Sequence, residues 1–152
     1  MARDPCRLQG TGVFAALYAA EGSSFDTLLG VARDFSPRIE SCGLREVTLD
    51  LSGLTRLFGD AKTIADELRR TAADRGLRVR IAVAGTRTAA RLLARDRAGI
   101  TIVEAGDEAA ALAALPLVLL ARISHLNDPN ASNDPNDSND PNDSNGLFAV
   151  RV

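Results

Sequence analysis

The pattern of apolar and polar positions predicts five helices. In three of them apolar residues stand three and four positions apart, which places them on one face of a helix. Ser23 and Ser24 are candidate caps for the first of these three, and Asp60 for the second. We expect the three amphipathic helices over residues 25–35, 61–75 and 88–97, and short helices over residues 13–20 and 107–115.

Alternating apolar residues predict strands between these helices. The clearest is RVRIAVA, in which Val79, Ile81 and Val83 share one face. Strands are expected over residues 39–42, 46–51, 78–84 and 100–103. From residue 25 onward the order is helix, strand, strand, helix, strand, helix, strand. It predicts an α/β fold, an α+β sandwich of ferredoxin-like type with helices on one face of a mixed or antiparallel sheet.

Composition divides the chain into three parts. We expect a weakly ordered segment over residues 1–24, a folded domain over residues 25–120 and a low-complexity tail over residues 121–152. The tail repeats Asn, Asp, Pro and Ser and cannot form a core, so turns or disorder are expected there. Calcium binding by the tail is the alternative, but the glycine and the closing glutamate of a calcium loop are missing.

Charge and cysteine content limit the functions that fit. The net charge is −2, yet five aspartates lie in the tail, so the remainder is slightly basic and compatible with a nucleic-acid partner. His125 is the only histidine, and Cys6 and Cys42 stand apart, so no zinc site is expected. No apolar run approaches ~18 residues. We therefore expect a cytoplasmic protein with no membrane contact.

Two carboxylates on one predicted strand are the first candidate site. Alternation places Glu46, Thr48 and Asp50 on one face, whereas Arg45 falls on the other face with Val47 and Leu49. Glu46 and Asp50 would lie ~13 Å apart at ~3.3 Å per residue. Two ions in a phosphoryl-transfer site need several converging carboxylates. This pair alone therefore predicts a structural role, either facing solvent or pairing with arginines.

Three segments carry a resemblance to a known family. They are FSPRIE (residues 35–40), LREVTLDLSGLTRLFG (residues 44–59) and IAVAGTRTAARLLAR (residues 81–95). Together they resemble the palm of Y-family translesion DNA polymerases of the UmuC/DinB type, and most of all the ImuB-like branch, whose members lack the catalytic acids. The resemblance covers residues 35–117 and implies a ferredoxin-like polymerase palm that functions in DNA repair, DNA damage tolerance and SOS mutagenesis.

The resemblance also implies what is missing. In active members the strand reads Ser-x-Asp-Glu-x-x-Leu-Asp, and Arg45 stands at the catalytic aspartate, so that Arg45, Glu46 and Asp50 are a remnant of the acidic motif. The N-terminal Asp-x-Asp strand has no counterpart, since Asp4 stands alone. Active relatives use Mg²⁺. For this chain we expect no catalytic residue, no metal, no cofactor and no enzymatic activity.

The junction between the strand of residues 78–84 and the helix that follows is the second candidate site. Gly85 and Thr86 precede the helix N-terminus, where free amides and the helix dipole favour a phosphate. Arg87, Arg91 and Arg95 follow at intervals of four. In active relatives a lysine at the Arg91 position approaches the triphosphate, which implies DNA or nucleotide binding by these five residues. The alternative is an arginine stripe that only solvates an outer helix face.

The expected function is that of a non-catalytic accessory in translesion synthesis. Its partners would be DNA, bound weakly, and other polymerase or mutasome components, with a sliding clamp among the candidates. The family's thumb and outer DNA-gripping domain have no counterpart after residue 117, so we expect a truncated palm. Two alternatives stay open: a functionless fragment, and a small ferredoxin-like module that binds a metabolite at Gly85.

Overall fold

The computed structural model describes residues 12–121, which form one five-stranded sheet with helices on both sides. The strands are β1 (Phe14–Ala19), β2 (Ile39–Ser41), β3 (Glu46–Asp50), β4 (Val79–Ala84) and β5 (Ile100–Ile102). The helices are α1 (Phe25–Phe35), α2 (Thr55–Phe58), α3 (Ala61–Asp74), α4 (Arg87–Asp96) and α5 (Glu108–Ala113). The predicted α/β class is confirmed. Asp4, Cys6, His125 and the tail beyond residue 121 lie outside the described residues.

The sheet is mixed, with strand order β2-β3-β1-β4-β5. Neighbouring strands are antiparallel except for β4 and β5, which are parallel and joined through α4. A parallel pair needs such a crossover, and a helix is the usual one. This connection brings α4 back over the sheet.

The central strand β1 contradicts the structure predicted from sequence for residues 13–20. Residues 13–20 were predicted as a short helix within a weakly ordered segment, but Phe14–Ala19 pairs with both β3 and β4. Both faces of β1 are covered, so its sequence is a continuous apolar run without alternation. Its three alanines also favour a helix by propensity, and tertiary pairing overrides that preference. The other proposed domain boundaries stay predictions.

Side-chain caps start three helices, and for two of them, α1 and α3, the sequence indicated the cap. The Ser24 hydroxyl accepts from the Thr27 N–H at 3.4 Å, and the Asp60 carboxylate accepts from the Thr63 N–H at 2.8 Å. At α4 the Thr86 hydroxyl accepts from the Ala89 N–H at 3.2 Å. Each bond satisfies an N–H group that has no partner inside its helix, which fixes the first turn.

Helices cover both faces of the sheet, so the expectation of helices on one face is wrong. Helices α1 and α3 pack on the first face over a core that includes Leu17, Val47, Leu49, Ile81 and Val83. Helix α4 packs on the second face, where six of the seven buried apolar residues are alanines: Ala16, Ala82 and Ala84 from the sheet and Ala89, Ala90 and Ala94 from the helix. The small side chains let α4 lie close to the sheet, and this closeness positions the site.

Candidate nucleic-acid interface

Glu46 is a buried carboxylate held by two arginines. It begins β3 and points to the face covered by α4, where its side chain is 1% exposed. Arg91 Nε donates to Glu46 Oε1 at 2.9 Å, and Arg95 Nε donates to Oε2 at 2.9 Å, with a further bond from Arg95 Nη2. Of the two expected roles, pairing with arginines is confirmed and facing solvent is not. Two guanidinium groups against one carboxylate leave this face with positive charge.

Two of the three arginines of α4 lie against the sheet rather than on an outer surface. The side chains of Arg91 and Arg95 are 8% and 10% exposed, whereas that of Arg87 is 57% exposed. The Arg87 guanidinium lies 5.1 Å from the ring centroid of Phe14 and 3.3 Å from a Glu40 carboxylate oxygen. The solvated-stripe alternative is therefore wrong for Arg91 and Arg95, whereas Arg87 is solvated as that alternative expects. A role of these arginines in binding DNA or nucleotides stays a prediction.

Asp50 ends β3 and has partners of its own. Its Oδ1 accepts from the Ser52 N–H at 2.9 Å, and its Oδ2 lies 3.6 Å from Arg38 Nη1. These hydrogen bonds from Ser52, and then the charge of Arg38, lower the pKa of Asp50 against the opposing effect of burial. Asp50 and Arg38 line a shallow recess of about 190 Å³ together with Arg87 and Thr48.

The carboxylates of β3 do not converge on a site that fits Mg²⁺. On the same face β1 places Tyr18 opposite Glu46, Ala16 opposite Thr48 and Phe14 opposite Asp50, so no acid of β1 joins them. Both Glu46 oxygens already accept hydrogen bonds from arginines. Within residues 12–121 no three His, Cys, Asp or Glu residues come together as metal ligands.

Arg45 lies at the end of the sheet, beside Tyr18. Arg45 precedes β3, so strand alternation does not govern its side chain. The prediction that this side chain lies on the α1–α3 face, with Val47 and Leu49, is therefore wrong, because the guanidinium lies over the Tyr18 ring. Arg45 Nε donates to the Ala19 carbonyl at 3.1 Å. Its guanidinium carbon lies 5.1 Å from the Tyr18 ring centroid, and that of Arg95 lies 5.7 Å from it. Tyr18 thus holds two arginines by cation–π contacts, a role the sequence analysis missed with β1.

The phosphate position predicted at Gly85 is taken by a carboxylate of the chain itself. Glu108 Oε1 accepts from the Gly85 N–H at 3.0 Å, and Oε2 accepts from the Gly106 N–H at 2.7 Å. Together with its own N–H, these donors lower the pKa of Glu108. A Cβ at Gly85 would collide with this carboxylate. A phosphate or a metabolite at this junction would have to displace Glu108.

Comparison with known proteins decides the family. The sequence profile of the impB/mucB/samB family matches residues 2–95. The chain belongs to this family. The Y-family, UmuC-type resemblance is therefore confirmed, and the family match includes β1, which the resemblance over residues 35–117 did not.

The relatives of this impB/mucB/samB domain carry two kinds of name. DNA polymerase IV 2 of Mesorhizobium japonicum is 34% identical over 62% of this chain and 24% of its own length. DNA polymerase IV of Dehalococcoides mccartyi is 34% identical over 70% of this chain and 27% of its own. Protein ImuB of Caulobacter vibrioides is 31% identical over 67% of this chain and 22% of its own length. The chain thus spans about a quarter of the length of these relatives. No solved structure matches it significantly.

The names correct one expectation. We expected a protein that is not an enzyme, on the basis of Arg45 at the aspartate position. DNA polymerase IV is the name of an enzyme, and relatives with this name match the chain at 34% identity, so the expectation is contradicted. Among residues 12–121, no helix is long and apolar enough to cross a membrane.

Proposed function

We propose that this chain is the palm portion of a polymerase-type protein that acts in DNA repair and translesion synthesis, and that it binds DNA. Membership of the impB/mucB/samB family supports the first part. The observation that carries the second is the surplus of positive charge around Glu46, because its one carboxylate faces both Arg91 and Arg95. A positive face attracts the phosphate backbone of nucleic acid.

Within the five residues predicted to bind DNA or nucleotide, the contacts support different roles. Arg87 is exposed at the start of α4 and can reach a phosphate directly. Arg91 and Arg95 are buried, so they contribute through their positive potential rather than through contact. Gly85 and Thr86 hold the helix N-terminus in place. Arg87 is therefore the residue whose substitution tests the proposal without disturbing the fold.

Fluorescence anisotropy with labelled primed DNA is the direct experiment. We expect the full chain to bind in a salt-dependent manner and Arg87→Glu to weaken binding. Arg70→Glu is the matched control, because it makes the same charge change on α3, on the other side of the sheet. Absence of binding by the unsubstituted chain at low salt would refute the proposal, as would equal effects of the two substitutions.

The second part of the proposal is that the chain binds other polymerase components, with a sliding clamp as one candidate. Family membership supports it, since the matched relatives are polymerases or polymerase-like proteins about four times longer than the matched region. Sedimentation velocity of the full chain mixed with a purified clamp, and separately with a purified replicative polymerase subunit, tests it. Unchanged sedimentation of every component in both mixtures would contradict it.

A further inference from the structure

A second group of arginines surrounds the end of the sheet at which β1 ends and β3 and β4 begin. Arg45, Arg78 and Arg80 line a recess of about 240 Å³ together with Tyr18 and Glu21. This recess lies at the other end of the sheet from Arg87, because Tyr18 pairs with Arg80 whereas Phe14 pairs with Ala84. None of the roles considered above involves Arg78 or Arg80.

Backbone pairing fixes where these arginines stand. The Ala19 N–H donates to the Arg45 carbonyl at 2.8 Å, and the Ala20 N–H donates to the Arg78 carbonyl at 2.9 Å. The end of β1 is thus held between the residues that immediately precede its two neighbours. Side chains from both neighbours therefore converge beside Tyr18 without any loop having to move.

Two of the three guanidinium groups are also held in position. Arg45 stacks on Tyr18 and donates to the Ala19 carbonyl, and Arg80 Nη1 donates to the Arg95 carbonyl at 2.9 Å. Neither contact neutralises a charge, because a carbonyl and an aromatic ring are uncharged. A guanidinium held in this way loses less conformational entropy when it binds an anion.

None of these three arginines has an acidic partner in the part of the chain that the structure describes. No carboxylate of residues 12–121 lies within 4.0 Å of the guanidinium nitrogens of Arg45, Arg78 or Arg80. Glu21 lines the same recess but forms no ion pair with them. Several other arginines do have such partners, as Arg38 has Asp50 and Arg75 has Asp34, whereas Arg33, Arg56, Arg69 and Arg97 also have none among the described residues. Among the described residues the recess is therefore lined by three guanidinium groups and one carboxylate, which leaves a net positive charge.

We propose that this recess binds a phosphate group of a DNA backbone. Three guanidinium groups around so small a volume suit a tetrahedral anion with several acceptor oxygens, and guanidinium N–H pairs match phosphate geometry. A single carboxylate of an acidic peptide would engage fewer of these donors. DNA as the source of the phosphate rests on the proposed function, whereas the phosphate site itself rests on the recess alone.

Tyr18 provides a reporter at the site. It is the only tyrosine, and the chain has no tryptophan, so intrinsic fluorescence comes from the wall of this recess. The full chain is titrated with inorganic phosphate at constant ionic strength, and separately with unlabelled primed DNA. We expect saturable changes of Tyr18 emission in both titrations. Arg45 stays unchanged because its substitution would alter the stacking on Tyr18 itself.

The variant carries Arg78→Gln and Arg80→Gln, and the matched control carries Arg33→Gln and Arg70→Gln, on α1 and α3 over the opposite face of the sheet. Both arginines of the variant are exposed, so the thermal midpoint should stay close to that of the parent chain. We expect a loss of the phosphate response and at least ~10-fold weaker DNA binding. The slope of log K against log salt should fall by about one, as for a lost phosphate contact.

The phosphate titration, the DNA titration and the Arg78/Arg80 variant together distinguish the phosphate site from the proposed DNA-binding function. A Tyr18 response to inorganic phosphate without DNA binding would keep the phosphate site but overturn DNA as its source, and the proposed function with it. DNA binding that is equal in strength and salt slope for the parent chain and the Arg78/Arg80 variant would overturn the recess as a DNA site and leave the proposed function standing. No Tyr18 response to phosphate would overturn the site itself.

Discussion

Removing the Glu46 carboxylate should destabilise this domain more than any change to a surface ion pair. The carboxylate is 1% exposed and accepts hydrogen bonds from both Arg91 and Arg95. Its loss leaves two guanidinium groups buried without their counter-charge, which costs about 3–5 kcal/mol. Over about 110 residues the entropy of unfolding is ~0.23 kcal/mol per degree, so the thermal midpoint should fall by roughly 13–22 °C.

Urea unfolding followed by circular dichroism measures this effect on the full chain. Glu46→Gln keeps one acceptor oxygen and should lie at the low end of the range, and Glu46→Leu should lie at the high end. Asp66→Asn is the control, because it breaks the exposed Lys62–Asp66 pair and should cost only about 0.3–0.5 kcal/mol.

A third variant separates lost charge pairing from lost packing. Replacing the whole group, with Glu46→Leu, Arg91→Met and Arg95→Met together, should recover most of the stability, because no buried charge then remains unpaired. If Glu46→Leu alone costs less than ~1 kcal/mol, the arginines are solvated in solution and the reasoning from burial is wrong. If the triple variant is no more stable than Glu46→Leu, the penalty comes from packing.

Packing, acid titration and thiol reactivity give three further predictions. Ala82→Leu overfills the space between β4 and α4 and should lower the free energy of unfolding in urea by about 1–3 kcal/mol. Ala109→Leu on exposed α5 is the control and should change it little. Equal effects of the two substitutions would contradict close packing between β4 and α4. The lowered pKa of Glu108 means that its carboxylate stabilises the fold above about pH 4.3, and this stability is lost as pH falls through the lowered pKa. Glu108→Gln should therefore flatten the urea midpoint against pH in that acid window, and an unchanged profile would refute this. Burial raises the pKa of the Cys42 thiol. In a Cys6→Ser background, iodoacetamide should therefore label Cys42 slowly at mildly alkaline pH and rapidly after denaturation. Fast labelling of the folded chain would contradict the burial of Cys42.

Local sequence signals predicted the elements whose structure depends on near neighbours. Helices α1, α3 and α4 begin where Ser24, Asp60 and Thr86 cap them, within one turn of the expected positions. Strands β3 and β4 follow from alternation, because one face meets the α1–α3 core and the other meets α4. The class of fold was therefore accessible from the sequence.

The missed features depend on residues far apart in the chain. Strand β1 was predicted as a helix because its alanines favour a helix and because both of its faces are buried, which removes the alternating pattern. It is a strand because it pairs with β3 and β4, which lie far along the chain. The carboxylate of Glu108 reaches Gly85 only because the parallel β4–β5 connection brings the start of α5 to the end of β4. The partner type of Glu46 could be anticipated from the arginines of α4, but its burial could not, because it requires α4 to pack on the second face of the sheet.

The central position of β1 has a consequence for synthesis on the ribosome. Translation produces β1 before both of its neighbours, since β3 starts at Glu46 and β4 at Val79. About 60 residues separate the end of β1 from the start of β4, which is ~3–12 s of elongation at 5–20 residues per second. Both edges of this apolar strand are unpaired until β3 is made, and one edge stays exposed to other nascent chains until β4 is made. Chaperone supply and elongation rate should therefore govern the yield of folded protein more than its final stability does.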